Sequence, residues 1–202
     1  MPTSDEALFS AWREGNKAAG DQLARLHYHA VLRFFEYRTG QSAEDLVQRT
    51  FAACAASLPQ YRGAGSFRAY LFGIARNILL NHLRSRRYDD DAMSRLDGPE
   101  SGSARTGMST IVARRDEQRV LLQALVAMPE ELQTPLVLFY WEDLRSQEFA
   151  DALGCVPSTA RGRLVRARAA LRERIDEFAS STRTHERLTT DVDAWLRSLT
   201  ER

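Results

Sequence analysis

The sequence predicts an all-α fold: two small helical domains joined by a flexible linker. Three observations carry this. Apolar residues recur at helical spacing from about residue 5 to 88 and again from about 110 to 178. No segment alternates apolar and polar as a half-buried strand does, and a stretch rich in Gly, Ser and Asp separates the two blocks. The expected domains are 1–88, a linker over 89–111, a second domain over 112–177 and an extension over 178–202.

In the first block, Gly15, Gly20, Gly40 and the loop from Pro59 to Gly65 are read as the breaks between helices. The segment AEDLVQRTFAACAASL gathers Leu46, Val47, Phe51, Cys54 and Leu58 on one face, expected to be buried. Asp45, Gln48, Arg49 and Ala52 lie on the opposite face, which by itself reads as a solvated stripe. The next helix, SFRAYLFGIARNILLNHLRS, is expected to bury Phe67, Leu71, Ile74 and Ile78 and to turn Arg76, Asn77, Leu80 and Arg84 outward.

Charge on this helix has one sign. Arg62, Arg68, Arg76, Arg84, Arg86 and Arg87 fall between residues 62 and 87 with no acidic residue among them. Such a surface repels itself unless an anion is present, and phosphate suits guanidinium because the two form bidentate, charge-assisted hydrogen bonds. Tyr61 lies in the loop YRGAGS, where Gly63 and Gly65 permit close backbone approach, so this loop is a candidate holder of an extruded base. Phe67 and Phe72 are read as core by their spacing.

From Tyr88 to Ser109 the helical pattern is expected to stop. In the second block, SQEFADALGCVPSTARGRLVRARAALRERI reads as a helix-turn-helix. A short helix from Ser146 to Leu153 has Ser146 as its expected N-cap and Gly154 as its left-handed end. A second helix begins near Pro157 or Ser158, a spacing that suits DNA binding.

Ala160, Leu164, Ala167, Leu171 and Ile175 form the inward stripe of that second helix. Ser158, Thr159, Gly162, Arg163 and Arg166 face away, flanked by Arg161 and Arg168. Five arginines and no carboxylate occupy residues 157 to 172, so the exposed half suits a major groove: short polar groups and arginine on base edges, neighbouring arginines on phosphates. Beyond Phe178, LTTDVDAWLRSL repeats apolar positions at Leu188, Val192, Trp195, Leu196 and Leu199. This narrow stripe either packs on the second domain or docks on a binding face and regulates access to it.

Composition narrows the function classes. Net charge is only +1, so a nucleic-acid role must come from clustering, and Lys17 is the only lysine, a bias that genome composition or phosphate recognition could each cause. Cys54 and Cys155 stand apart without ligand spacing and are read as small core residues; no metal and no cofactor is expected. His27, His29, His82 and His185 form no ligand cluster or catalytic dyad, so no catalytic residue is assigned and an enzyme is not expected. No apolar run approaches the roughly 18 residues of a membrane span, and the polar start MPTSDEALF leads to the expectation of a cytoplasmic protein.

Four stretches, AEDLVQRTF, YRGAGSFRAYLFGIARNILLNHLR, LVAMPEELQTPLVLFYWEDLRSQEFADALG and STARGRLVRARAALR, resemble the sigma-70 family in its two-domain extracytoplasmic-function group. The resemblance implies that the first domain is the region 2 bundle and the second the region 4 helix-turn-helix of an RNA polymerase sigma factor. It implies that Asp45, Gln48, Arg49 and Ala52 meet the clamp helices of the polymerase's largest subunit. Tyr61, Arg62, Gly63, Ser66, Arg76, Asn77 and Arg84 would meet the minus-ten promoter element, and Ser158, Thr159, Arg161, Gly162, Arg163 and Arg166 the minus-35 element.

Core RNA polymerase, including its flap, promoter DNA and an anti-sigma factor are the implied partners. The linker, with Asp89, Asp90 and Asp91, would thread toward the polymerase active site. Ala160 and Gly162 depart from the family's usual aliphatic and polar residues, so base preference does not transfer. A helix-turn-helix regulator acting without polymerase is the alternative, and the first block is what separates the two.

Overall fold

In the computed structural model, residues 4–39, 42–62, 65–94, 116–178 and 196–197 are described, and among them every regular element is helical. The chain divides into two compact units, Met1–Ser109 and Thr110–Arg202.

Among its described residues the first unit holds four α-helices. Helix α1, Asp5–Arg13, starts at Ser4, whose hydroxyl accepts from the Ala7 N–H at 3.3 Å, with Asp5 and Glu6 complementing the helix dipole. It ends before Gly15, whose φ of +102° suits glycine. Helix α2, Lys17–Thr39, runs through Gly20 instead of breaking there. Gly20 serves packing: a Cβ at this position would lie 2.5 Å from the Trp12 indole nitrogen. His27 Nε2 and the Asp5 carboxylate, 2.7 Å apart, tie α2 to α1. Gly40 lies outside the described residues.

Helix α3, Ala43–Ser57, is followed by a tight 3-10 turn over Leu58–Gln60 and by helix α4, Phe67–Ser94. Leu23, Val31, Phe34, Phe35, Leu46, Val47, Leu71, Phe72 and Leu79 are fully enclosed where α2, α3 and α4 pack together. Two expectations for this core need correction. Phe51 of α3 and Leu58 of the turn after it are only half-buried while Thr50 is fully buried, its hydroxyl donating to the Leu46 carbonyl at 2.7 Å. On α4, Ile74 and Ile78 are half-buried, and Ala75 and Leu79 take the central places, which rolls the helix slightly from the expected stripe.

A further correction concerns the end of α4. The helix continues past Tyr88 to Ser94, so Asp89, Asp90 and Asp91 are helical and not part of an irregular linker. Once a helix is nucleated each added residue contributes a hydrogen bond, and no Gly or Pro interrupts before Gly98. The remainder of the expected linker, 95–111, lies outside the described residues.

In the second unit, α5, Asp116–Ala127, and α6, Glu130–Leu136, both pack on the long α8, Pro157–Phe178. Gln133 of α6 satisfies the end of α5, donating to the Met128 and Val126 carbonyls at 2.6 and 3.3 Å. Pro135 lacks the N–H that would continue the α6 ladder, and the chain after it widens into a π-helical turn over Val137–Trp141. Helix α7, Ser146–Ala152, then leads through a tight turn into α8.

Candidate functional site

Three exposed surfaces carry the candidate residues. On α3, burial of Leu46, Val47, Thr50 and Cys54 forces Asp45, Gln48, Arg49 and Ala52 outward, and all four are exposed. Arg49 and Asp45 approach to 3.7 Å across one helical turn, an exposed pair worth about 0.3–0.5 kcal/mol that either residue can leave for a partner. Beside this stripe lies His82 of α4, which the sequence pattern did not single out. Its pKa is pushed down by burial and by the Arg86 and Arg49 cations, with the Asp45 carboxylate opposing them. Its Nε2 has no hydrogen-bond partner among the described residues. Cys54 lies on the buried side of α3, where burial pushes its thiol up to about 12.

The second surface is the loop before α4 and the outer side of that helix. Tyr61 is half-buried, with its ring centre 4.5 Å from Tyr70 and 5.5 Å from Phe9, and its hydroxyl donates to the Gly65 carbonyl at 3.3 Å. The Arg13 guanidinium stands 5.7 Å from the Tyr61 ring centre. Tyr61 is therefore set into an aromatic cluster with Phe9, Phe67 and Tyr70, and the cluster fixes the root of the loop. Tyr70 adds to this by donating to the Cys54 carbonyl at 2.8 Å.

Ser66 starts α4, its hydroxyl accepting from the Ala69 N–H at 3.2 Å. Arg62, Asn77 and Arg84 are exposed and Arg76 is half-buried. Asn77 and Arg84, seven residues apart, share a face of α4. Gly63 lies outside the described residues.

The third surface is the helix-turn-helix. Gly154, φ +63°, ends α7, with its N–H donating to the Asp151 carbonyl and the Cys155 N–H to the Ala150 carbonyl, both at 3.0 Å. These two bonds make a Schellman end and set the sharp turn. Cys155 sits half-buried in that turn, not in the core as expected. The expected N-cap also shifts: Arg145 occupies the capping position, and Ser146 is the first helical residue, held at φ +45°. Pro157 opens α8, where its missing N–H costs no helical bond.

Ala160, Leu164, Ala167, Leu171 and Ile175 are all buried, as the spacing requires. Ser158, Thr159, Arg161, Gly162 and Arg166 are exposed. Arg163 is half-buried and donates to the Leu153 carbonyl at 3.3 Å, tying α8 to the end of α7. Arg168 turns further inward, its Nε–H donating to the Tyr140 hydroxyl at 2.6 Å. Carboxylates enter α8 only from Glu173 onward, where Arg174 pairs with Glu177 at 2.6 Å.

Among the described residues, no three His, Cys, Asp or Glu are grouped to hold a metal ion. No described helix is long and apolar enough to cross a membrane.

Comparison with known proteins bears on all three surfaces. Residues 21–88 match the family model of sigma-70 region 2, and residues 118–171 that of sigma-70 region 4. The chain is 30% identical over 178 residues to the RNA polymerase sigma-H factor of Pseudomonas aeruginosa, covering 83% of this chain and 91% of the relative. It is 25% identical over 182 residues to the ECF RNA polymerase sigma-E factor of Haemophilus influenzae, covering 85% of this chain and 95% of the relative. Among solved structures, CnrH in complex with the cytosolic domain of CnrY aligns with a TM-score of 0.62 at 24% identity, over 87% of this chain and 99% of that one. RpoE of Bartonella quintana, in complex with the anti-sigma factor NepR, aligns with a TM-score of 0.57 at 23% identity, over 77% and 96%. These two structural likenesses speak to the fold.

Proposed function

Because the chain belongs to the sigma-70 family of RNA polymerase sigma factors, in its extracytoplasmic-function group, we propose that its three exposed surfaces divide the work of promoter recognition. The α3 stripe, Asp45, Gln48, Arg49 and Ala52, docks on the clamp helices of core RNA polymerase. The loop from Tyr61 to Ser66 receives a base extruded from the opened minus-ten element, and Arg76, Asn77 and Arg84 of α4 hold that strand. Ser158, Thr159, Arg161, Gly162, Arg163 and Arg166 of α8 read the minus-35 element as duplex, while the second unit also meets the polymerase flap.

The observation that carries this reading is the contrast of charge between exposed helix faces in one chain. The α3 face holds both signs, whereas the first 16 residues of α8 expose Arg161, Arg166 and Arg172 and hold no carboxylate. A one-signed face gains from releasing the counterions of a phosphate backbone, so its binding weakens as salt rises. Discrimination between bases comes from the side chains that reach base edges, each good bidentate pair contributing about 1–3 kcal/mol.

Bond making belongs to the polymerase, so the chain works as a non-enzymatic subunit without cofactor or metal. Its place is the cytoplasm, where core polymerase and DNA are. An anti-sigma factor is a fitting regulator, given that a fold neighbour is described with one.

Run-off transcription with purified bacterial core polymerase and fragmented DNA of the source genome tests the proposal. Specific transcripts that require the chain are the expected result. A chain that binds duplex DNA tightly by itself, and yields no transcript with active core polymerase, would point to a helix-turn-helix regulator acting alone.

A further inference from the structure

Three consecutive aromatic residues in the π-helical turn, Phe139, Tyr140 and Trp141, are gripped by three separate parts of the second unit. From the C-terminal extension, Leu196 is 1% exposed and its carbonyl accepts the Trp141 indole N–H at 2.8 Å, across 55 residues of sequence. Next to it, the Arg197 guanidinium stands 5.7 Å from the Tyr140 ring centre. From the start of α7, the Arg145 guanidinium lies 4.2 Å from the Phe139 ring centre. From α8, Arg168 donates to the Tyr140 hydroxyl at 2.6 Å and lies 5.4 Å from the ring centres of both Phe139 and Tyr140.

We propose that Leu196 and Arg197 of the C-terminal extension form a strap that positions the recognition helix, acting through Trp141, Tyr140 and Arg168. The proposal rests on the reading of α8 as the helix that enters the major groove. Arg168 lies two residues beyond Arg166, the last of the candidate base-reading and phosphate-binding residues. Its planar guanidinium is held by a directional hydrogen bond and against two rings, so it adds to the buried stripe in holding the roll of α8 about its own axis. A change of roll moves Arg161 and Arg166 off their targets together, and bidentate contacts weaken steeply with misalignment.

Tyr140 is the hinge of the arrangement. Its hydroxyl accepts from Arg168, its ring lies 5.7 Å from Arg197, and its neighbour Trp141 donates to the Leu196 carbonyl. The extension lies beyond residue 171, where the match to the region 4 family model ends. The strap is thus an addition to the matched part of the helix-turn-helix, and it makes the extension a working part of DNA reading. It also predicts a sign: removing the extension weakens promoter binding, where a blocking segment would strengthen it on removal.

The test is a double-mutant cycle on the full chain assembled with core polymerase. The intact chain, a chain truncated after Phe178, Tyr140→Phe, and the two changes combined are compared by their affinity for a promoter fragment selected by the intact holoenzyme. Truncation and Tyr140→Phe are each expected to weaken binding about 3- to 10-fold, with the combination no worse than the stronger single change, because both cut one chain of contacts. An unchanged or raised affinity on truncation overturns the strap, and so does a combined loss equal to the product of the single losses, which additive destabilisation would give.

Trp141→Phe keeps an aromatic ring but removes the N–H donor together with part of the indole. It is expected to lose about 2-fold in affinity should the truncated chain fold poorly, and no loss counts against the strap. A second readout needs no DNA: hydrogen exchange of the Arg168 Nε–H, followed by nitrogen-15 NMR, is expected to accelerate in Trp141→Phe, and an unchanged rate overturns the link. If the intact holoenzyme selects no promoter at all, the sigma-factor reading falls, while the exchange measurement still decides the strap.

Discussion

The outward faces of α3 and α8 are both polar, both exposed and both imposed by a buried stripe behind them, yet they differ in the sign of their charge, on which the proposed division of partners rests. On α3, Asp45 and Arg49 neutralise one another across a turn at 3.7 Å. On α8, Arg161 and Arg166 stand exposed on a stretch with no carboxylate before Glu173. A protein partner offers groups of both signs at fixed places, so a mixed face can match it and reject mismatches. A nucleic-acid backbone offers only negative charge, and a one-signed face suits it. In this protein, the pattern of sign along a helix is more informative than the net charge of +1.

The largest effect that would sharpen this contrast is a double reversal on α8. Arg161→Glu with Arg166→Glu should lower holoenzyme affinity for promoter DNA by about 100-fold or more and flatten its salt dependence by roughly two phosphate contacts. Titration of labelled promoter over a range of salt concentrations checks both, and equal losses at every salt concentration would show that the arginines do not meet phosphate. On α3, Arg49→Glu should weaken assembly with core polymerase by about 10-fold, roughly 1.4 kcal/mol. Folding should change by no more than about 0.5 kcal/mol, as for other exposed sites. Assembly measured by fluorescence anisotropy and melting measured on the free chain separate the two effects.

Two glycines of the helix-turn-helix give a smaller, opposed pair. Gly154→Ala forces a Cβ into a left-handed conformation at φ +63° and should cost about 1–2 kcal/mol. Gly162→Ala places its Cβ in open space and should add up to about 1 kcal/mol of helix stability. Thermal melting of the two variants should move in opposite directions, and a common direction would contradict the backbone assigned to this turn.

The smallest effect concerns His82, beside the α3 stripe and facing Arg86, Arg49 and Asp45. Its folded-state pKa is lowered, so the folded protein favours the neutral ring. The associated stability is present above the ordinary histidine range near 6.5 and is lost as pH falls through the lowered folded-state value. Melting temperature followed from pH 7.5 to 5 should fall less in His82→Gln than in the unsubstituted chain. Equal falls would remove His82 from the account.

How much of this was legible in the sequence differs between the same two regions. Every buried position of α8 from Ala160 to Ile175 followed from helical spacing, because only one side of that helix faces the core and its other side is plainly charged. On α3 the pattern gave Phe51 a buried place and left out Thr50, a polar residue that is enclosed because its hydroxyl is satisfied by the Leu46 carbonyl of its own helix. On α4 the run from Ile78 to Leu80 offers apolar residues in several directions, and only packing against α1, α2 and α3 selects Leu79 for the centre.

Gly20 read as a break because glycine disfavours helices, whereas the close approach of Trp12 is what requires it. Of the candidate site, the exposed residues of α3 and α8 were legible from periodicity. The inward turn of Arg168 and the grip on Tyr140 were not, since they depend on residues 28 and more positions away.

The measurement that bears most directly on the central claim is promoter retention in a native gel with the chain alone, with core polymerase alone and with both. The two-face account predicts weak retention by the chain, no specific retention by core polymerase, and a stable complex only with both, lost with Arg49→Glu at limiting core and with Arg161→Glu plus Arg166→Glu at any core concentration. Tight, specific retention by the chain alone, indifferent to Arg49→Glu, would contradict it.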